Sequence, residues 1–193
     1  MPLKILHLFP LLRRHAVLRD AEGDVWLFQE DLENGNYSRY SLRGELLTRA
    51  SRAKAVVYAA LHYQLDPEAI HVFLEDVRTF KPGVGIGTWM LNRVIDVIKR
   101  ASMVLPIGVV FGMFSPVDEQ DPVNKARRDH VFERVGFRRV PVMTARGIAE
   151  YRIEASPHEL RMAHSSHAQG IEELEVDDII REWATERFLR DRR

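Results

Sequence analysis

Three glycines, Gly83, Gly85 and Gly87, alternate directly ahead of an apolar-periodic run in "FKPGVGIGTWML", residues 80–91. Glycine at such a place costs conformational entropy. It gives back unusual backbone angles and close approach of the backbone to a ligand. The N–H groups at a helix N-terminus have no intrahelical acceptor, and with the dipole behind them they form an anion site. A strand, a glycine turn and a helix in that order suit phosphate or pyrophosphate. They also suit a plain tight turn. Two nucleotide patterns fail on spacing. Gly87 is followed by Thr88-Trp89, not Lys-Ser/Thr. The third glycine of a dinucleotide fingerprint would fall on Thr88 or Met90.

Other chemistries find less support. The chain has no cysteine, which excludes a disulfide framework and a cysteinyl intermediate. Ser115, Ser165 and Ser166 lack the GxSxG context of a nucleophile elbow. His158, His164 and His167 share a polar stretch but have no acidic partner at ligand spacing, so no metal is expected.

Composition sets the frame for these residues. A chain of 193 residues that is 46% hydrophobic and 29% charged is expected to fold as one globular domain. Its 28 basic and 28 acidic residues cancel, so there is no strong nucleic-acid signal. The apolar start "MPLKILHLFPLLRRHAVL" places its arginines after the apolar run, the reverse of a signal peptide. No run has the length of a membrane span. The expectation is a cytoplasmic protein.

Periodicity then supplies the elements. "DVWLFQE" reads as a strand. Asn34-Gly35 is a hairpin turn, with a second strand near Tyr37–Leu42. Lys54–Tyr63 fits a strand or a helix. "AIHVFLEDVRTF" is a strand. Thr88–Ala101 is a helix with Leu91, Val94, Ile95 and Ile98 on one stripe. Pro106–Phe114 is a short buried strand, and Asn124–Val135 is a charged helix stopped by Gly136. "FRRVPVMT" and "IAEYRIEA" are two strands. Residues 156–170 read as a polar linker, and 171–193 as a C-terminal amphipathic helix. The stripe of that helix suits packing on its own domain or a homodimer contact equally.

The stretch "VRTFKPGVGIGTWML" resembles the acetyl-CoA loop of the GNAT N-acetyltransferase superfamily, written Gln/Arg-x-x-Gly-x-Gly/Ala. Gly85 and Gly87 match the small positions, and Val77 lies where the family strand has its Val. "IGVVFGMF" and "NKARRDHVFERVGFRRV" resemble the next strand and helix, with Gly136-Phe137 matching the helix end. The resemblance covers about Lys54 to Ala155. It implies an α/β fold: a mixed, mostly antiparallel, splayed sheet flanked by helices, with residues 1–155 forming the acyl-CoA-binding domain. It favours a strand for Lys54–Tyr63. It also implies acetyl-CoA as co-substrate, held by Val77, Gly83, Val84, Gly85, Ile86, Gly87, Thr88 and Asn124. The implied reaction is acetyl transfer to an amine of a small molecule or protein by direct attack.

That attack requires a neutral amine, and a carboxylate acting directly or through water is the usual base. Glu75 and Asp76 lie beside Val77 on the strand, on opposite faces by alternation. Register with Val77 favours Glu75. Three positions depart from the family. Pro82 replaces the Gln/Arg and removes an N–H. Phe132 stands where a general-acid Tyr is common. Asn124 lies eight residues before Phe132 rather than about seven, and suits a coenzyme contact or a helix cap. These departures keep a second reading open, a GNAT-fold binding module with weak or no catalysis. A third is transfer of a longer acyl chain.

Overall fold

The computed structural model describes residues 15–34, 38–47, 54–61, 70–79, 83–113, 120–143, 149–164, 170–175 and 177. The strands are β1 His15–Arg19, β2 Val25–Asn34, β3 Ser38–Leu46, β4 Lys54–Leu61, β5 Ile70–Thr79, β6 Ile107–Met113, β7 Arg138–Met143, β8 Ala149–Ala155 and β9 Glu172–Leu174. Helix α1 is Ile86–Ser102 and helix α2 is Pro122–Arg134. The strands form one sheet in the order β7-β8-β6-β5-β4-β3-β2-β1-β9. Neighbours are antiparallel except β5 and β6, which run parallel. A parallel pair needs a crossover, and α1 provides it. This is the mixed, mostly antiparallel α/β sheet that the resemblance implies.

The core lies between one face of the sheet and α1. Ile86, Met90, Leu91, Val94, Ile95 and Ile98 are buried at helical spacing. They belong to one cluster with Leu18, Trp26, Phe28, Tyr40, Leu42, Val72, Leu74, Val110 and Ile153 of the strands. Lys54–Leu61 is a strand, which settles that ambiguity. Its β-branched residues pair with β3 and β5 on either side. Helix α1 begins at Ile86, two residues before the expected Thr88.

Two boundaries differ from the sequence reading. Residues 172–174 are a strand, not the start of a helix: they cover the open edge of β1, with Arg19 Nη1 donating to Glu172 Oε2 at 3.3 Å. The rest of the expected terminal helix, like the N-terminal apolar arm, lies outside the described residues, apart from Glu175 and Asp177. Residues 156–164, expected within a linker, are packed into the domain. Pro157 and Leu160 are buried, and Lys99 Nζ donates to the Leu160 carbonyl at 2.8 Å. Gly136, with φ 101°, ends α2 against this segment, and a side chain there would overlap the Glu159 carbonyl.

Candidate active site

The glycine turn leaves β5 and enters α1. Gly83 and Gly85 have φ of 87° and 86°, in the left-handed region that other residues adopt at a cost. The sequence alternation of glycines is therefore a conformational requirement at these two positions. Between and after them, Val84 and Ile86 are buried and anchor the turn to the core. Their backbone is what remains for a ligand.

Gly85 is the N-cap of α1, so no side chain caps the helix. The first N–H bonded within the helix is that of Trp89, to the Gly85 carbonyl at 3.0 Å. The N–H groups of Ile86, Gly87 and Thr88 precede it and have no acceptor inside the helix. The first turn also contains no acidic residue. Among the described residues neither a capping oxygen nor a first-turn carboxylate competes for the positive end of the dipole, which favours an outside anion. Lys81 and Pro82 lie outside the described residues.

Ahead of this turn, β5 carries two pairings of unequal length. β5 and β6 pair in parallel from Ile70↔Ile107 to Leu74↔Gly112. β5 continues through residues 75–79, still bonded to β4 as far as Ala55↔Thr79. At Gly112 the two backbones lie close, since a Cβ there would sit 3.0 Å from the Leu74 carbonyl oxygen. β6 is described only as far as Met113, one residue past that rung.

β5 is not regular at this point. Tyr58 pairs with Asp76 and the next residue, Ala59, pairs with Leu74, so Glu75 is the extra residue of a β-bulge. Leu74 is buried, and Val77 packs against the same core although it is three residues away. Alternation thus breaks at Glu75, and the period-two argument that set Glu75 opposite Asp76 does not carry across it. Glu75 itself is half-buried. No glycine or proline marks the bulge in the sequence, so nothing local could have announced it.

On α2 the assignments shift. Asp121 is the capping residue: its Oδ1 accepts the Val123 N–H at 3.0 Å and its carbonyl accepts the Lys125 N–H at 2.9 Å. Pro122 follows at the first helical position, where its missing N–H is harmless. Asn124 is inside the first turn and is not the cap. Phe132 packs edge-on to Phe137, ring centroids 5.5 Å apart, and against the core. Its position is that of a packing residue.

A mixed sheet with one parallel pair, joined by a helix that a left-handed glycine turn opens, is the arrangement that the resemblance to the GNAT superfamily implies. Among solved structures the chain is similar to Arabidopsis thaliana Naa50 in complex with a bisubstrate CoA–peptide analogue. That match has 14% identity and a TM-score of 0.41, and covers 59% of this chain and 72% of that one. It is also similar to AAC(6')-Ib in complex with ribostamycin and coenzyme A, with 14% identity and a TM-score of 0.38, covering 65% of this chain and 69% of that one. No family model and no curated protein matches the chain. Among the described residues no helix is long and apolar enough to cross a membrane, and no group of three or more His, Asp or Glu is placed to hold a metal ion.

Proposed function

We propose that the protein transfers an acetyl group from acetyl-CoA to a primary amine. The observation that carries this reading is the end of β5–β6 pairing at Leu74↔Gly112 beside an uncapped glycine turn. An extended coenzyme can enter a sheet only where strands part, and its pyrophosphate needs donors at that place. The backbone from Gly83 to Thr88 supplies them. The backbone of Val77 faces the thioester, while its side chain stays with the core. Asn124, in the first turn of α2, borders the coenzyme from the other strand's side.

Glu75 takes the proton of the attacking amine, directly or through one water. The amine nitrogen forms its bond to the thioester carbonyl carbon, the carbon–sulfur bond breaks, and coenzyme A leaves as thiolate. Phe132 offers no proton, so the thiolate is protonated by solvent. The same ring supports the second reading, coenzyme binding without efficient turnover.

Calorimetric titration of acetyl-CoA separates the readings from failure. The wild type is expected to bind one equivalent. Gly87→Glu is the informative variant: position 87 is helical, so a carboxylate there suits the dipole and spares the fold while opposing pyrophosphate. Affinity is expected to fall at least about tenfold. A wild type that does not bind acetyl-CoA overturns the proposal. Binding without thiol release on a broad amine panel leaves the binding module.

A further inference from the structure

The face of the sheet away from α1 carries a second cluster, at the last described β5–β6 pairs. Phe73 of β5 and Phe111 of β6 are partners across the parallel pair, with ring centroids 5.2 Å apart. They stand one rung before Leu74↔Gly112, the last pair of these strands among the described residues. His71 meets Phe111 edge-on at 6.5 Å. Arg152 of β8 lies over the Phe111 ring, its guanidinium carbon 5.8 Å from the centroid. Met113 is the next position outward on the same side of β6 and is 40% exposed. The rings and the methionine make an apolar floor that runs to the described end of β6 at Met113.

Arg152 is ion-paired with Glu154, its neighbour on the same face of β8. Recognition of a polycation needs an excess of acid spread over the surface. Among the described residues this floor has none, and Glu75 of the bulge is the carboxylate nearest to it along β5. One carboxylate suits one amino group.

We infer that this floor receives the acceptor, and that the acceptor is a primary amine with an aromatic or bulky apolar group close to the amino carbon. Polyamines and polycationic sugars do not fit it. The inference rests on the acyl-transfer reading above. Phe73 and Phe111 hold the apolar group by offset ring contact, and Met113 borders it on the solvent side.

The test compares 2-phenylethylamine with spermidine at saturating acetyl-CoA, followed by thiol release. The chain has no cysteine, so a thiol reagent reads coenzyme A alone. kcat/KM is expected to favour phenylethylamine at least about tenfold. Phe111→Ala is expected to raise the KM for phenylethylamine about tenfold with the Kd of acetyl-CoA unchanged. Met113→Glu, at an exposed site that spares the fold, is expected to shift preference towards spermidine. If coenzyme binds without turnover, the same ranking is read as amine affinity of the coenzyme A complex by calorimetry. Preference for spermidine, or an unchanged KM in Phe111→Ala together with an unchanged preference in Met113→Glu, overturns this inference and leaves the coenzyme reading standing. Absence of acetyl-CoA binding in the wild type overturns both.

Discussion

Asn92 of α1 holds the backbone of Ala163 from both sides, its Nδ2 donating to the carbonyl at 3.0 Å and its Oδ1 accepting the N–H at 2.7 Å. The side-chain amide acts as a strand would. Residues 160–164 are tied in three further places: Lys99 to the Leu160 carbonyl, Arg161 N–H to the Val135 carbonyl at 3.1 Å, and Arg134 Nη2 to the His164 carbonyl at 2.8 Å. The segment therefore straps α1 to the end of α2. Asn92→Ala leaves two part-buried backbone groups without this partner and is expected to destabilise the fold by about 1–3 kcal/mol. Hydrogen exchange of the Ala163 amide is expected to rise more than that of the α1 core amides. Equal protection at Ala163 before and after the change would show that the strap holds without Asn92.

Glu30 of β2 and Arg93 of α1 form the ion pair that fastens the helix to the sheet. The Glu30 side chain is 3% exposed and that of Arg93 15%. Arg93 Nε donates to Oε1, and Nη2 donates to Oε2 at 3.1 Å. Nη1 of the same guanidinium reaches Asp96 Oδ2 at 2.8 Å. The hydrogen bond to Glu30 is the largest cause holding the Arg93 guanidinium protonated beyond its ordinary range. Removal of one partner leaves a buried charge behind. Glu30→Ala is expected to cost about 3–5 kcal/mol in urea unfolding. The double variant Glu30→Leu, Arg93→Met is expected to lose much less, because both charges leave together. Equal losses in the two would show that packing at these positions, not the stranded charge, sets the cost.

Tyr40 gives the fold a base-sensitive element. Burial is the main cause that raises its phenol above the ordinary value, and the charge of Glu30 raises it further. Its hydroxyl lies close to Glu30, yet no hydrogen bond of normal geometry reaches it among the described residues. A raised folded-state pKa means that the native state keeps the proton after the unfolded chain has released it. The stability so contributed is whole below the ordinary phenol value of 10 and is lost as pH climbs above it. The slope for one proton is about 1.4 kcal/mol per pH unit. Tyr40→Phe is expected to flatten the decline measured between about pH 10 and 11 by that share. The variant should match the wild type at pH 7, since it removes a hydroxyl without a hydrogen-bond partner. An identical alkaline slope in both proteins would remove Tyr40 from the account.

The elements that were legible in the sequence are those whose signals are local. The stripe from Leu91 to Ile98 announced α1, the apolar run after Pro106 announced β6, and alternation around Asn34-Gly35 announced the β2–β3 hairpin. The glycines announced a special turn, and positive φ at Gly83 and Gly85 shows why they are there. What was not legible depends on partners distant in sequence. β9 forms from "EEL" because β1 has an open edge, and the polarity of those residues pointed elsewhere. The strap looked like a linker because its polar backbone is satisfied by Asn92, Lys99 and Arg134, far away in the chain. Asp121 lay outside the expected helix, which the sequence reading began at Asn124, although proline at the first helical position is a start signal.

The role proposed for Glu75 has a kinetic signature. A general base acts in the chemical step, so Glu75→Gln is expected to lower kcat about 10²–10⁴-fold. The Kd of acetyl-CoA, set by the turn from Gly83 to Thr88, should stay within about twofold, since loss in kcat and kcat/KM together marks an interaction made in the transition state. The bulge gives a reason to keep the substitution isosteric: Glu75 is the extra residue between Leu74 and Asp76, and a change of shape there would move the register of β5 against β4. A variant that keeps most of kcat would transfer the role of base to another group. A variant that loses acetyl-CoA binding as well would make Glu75 a support of the cleft rather than its base.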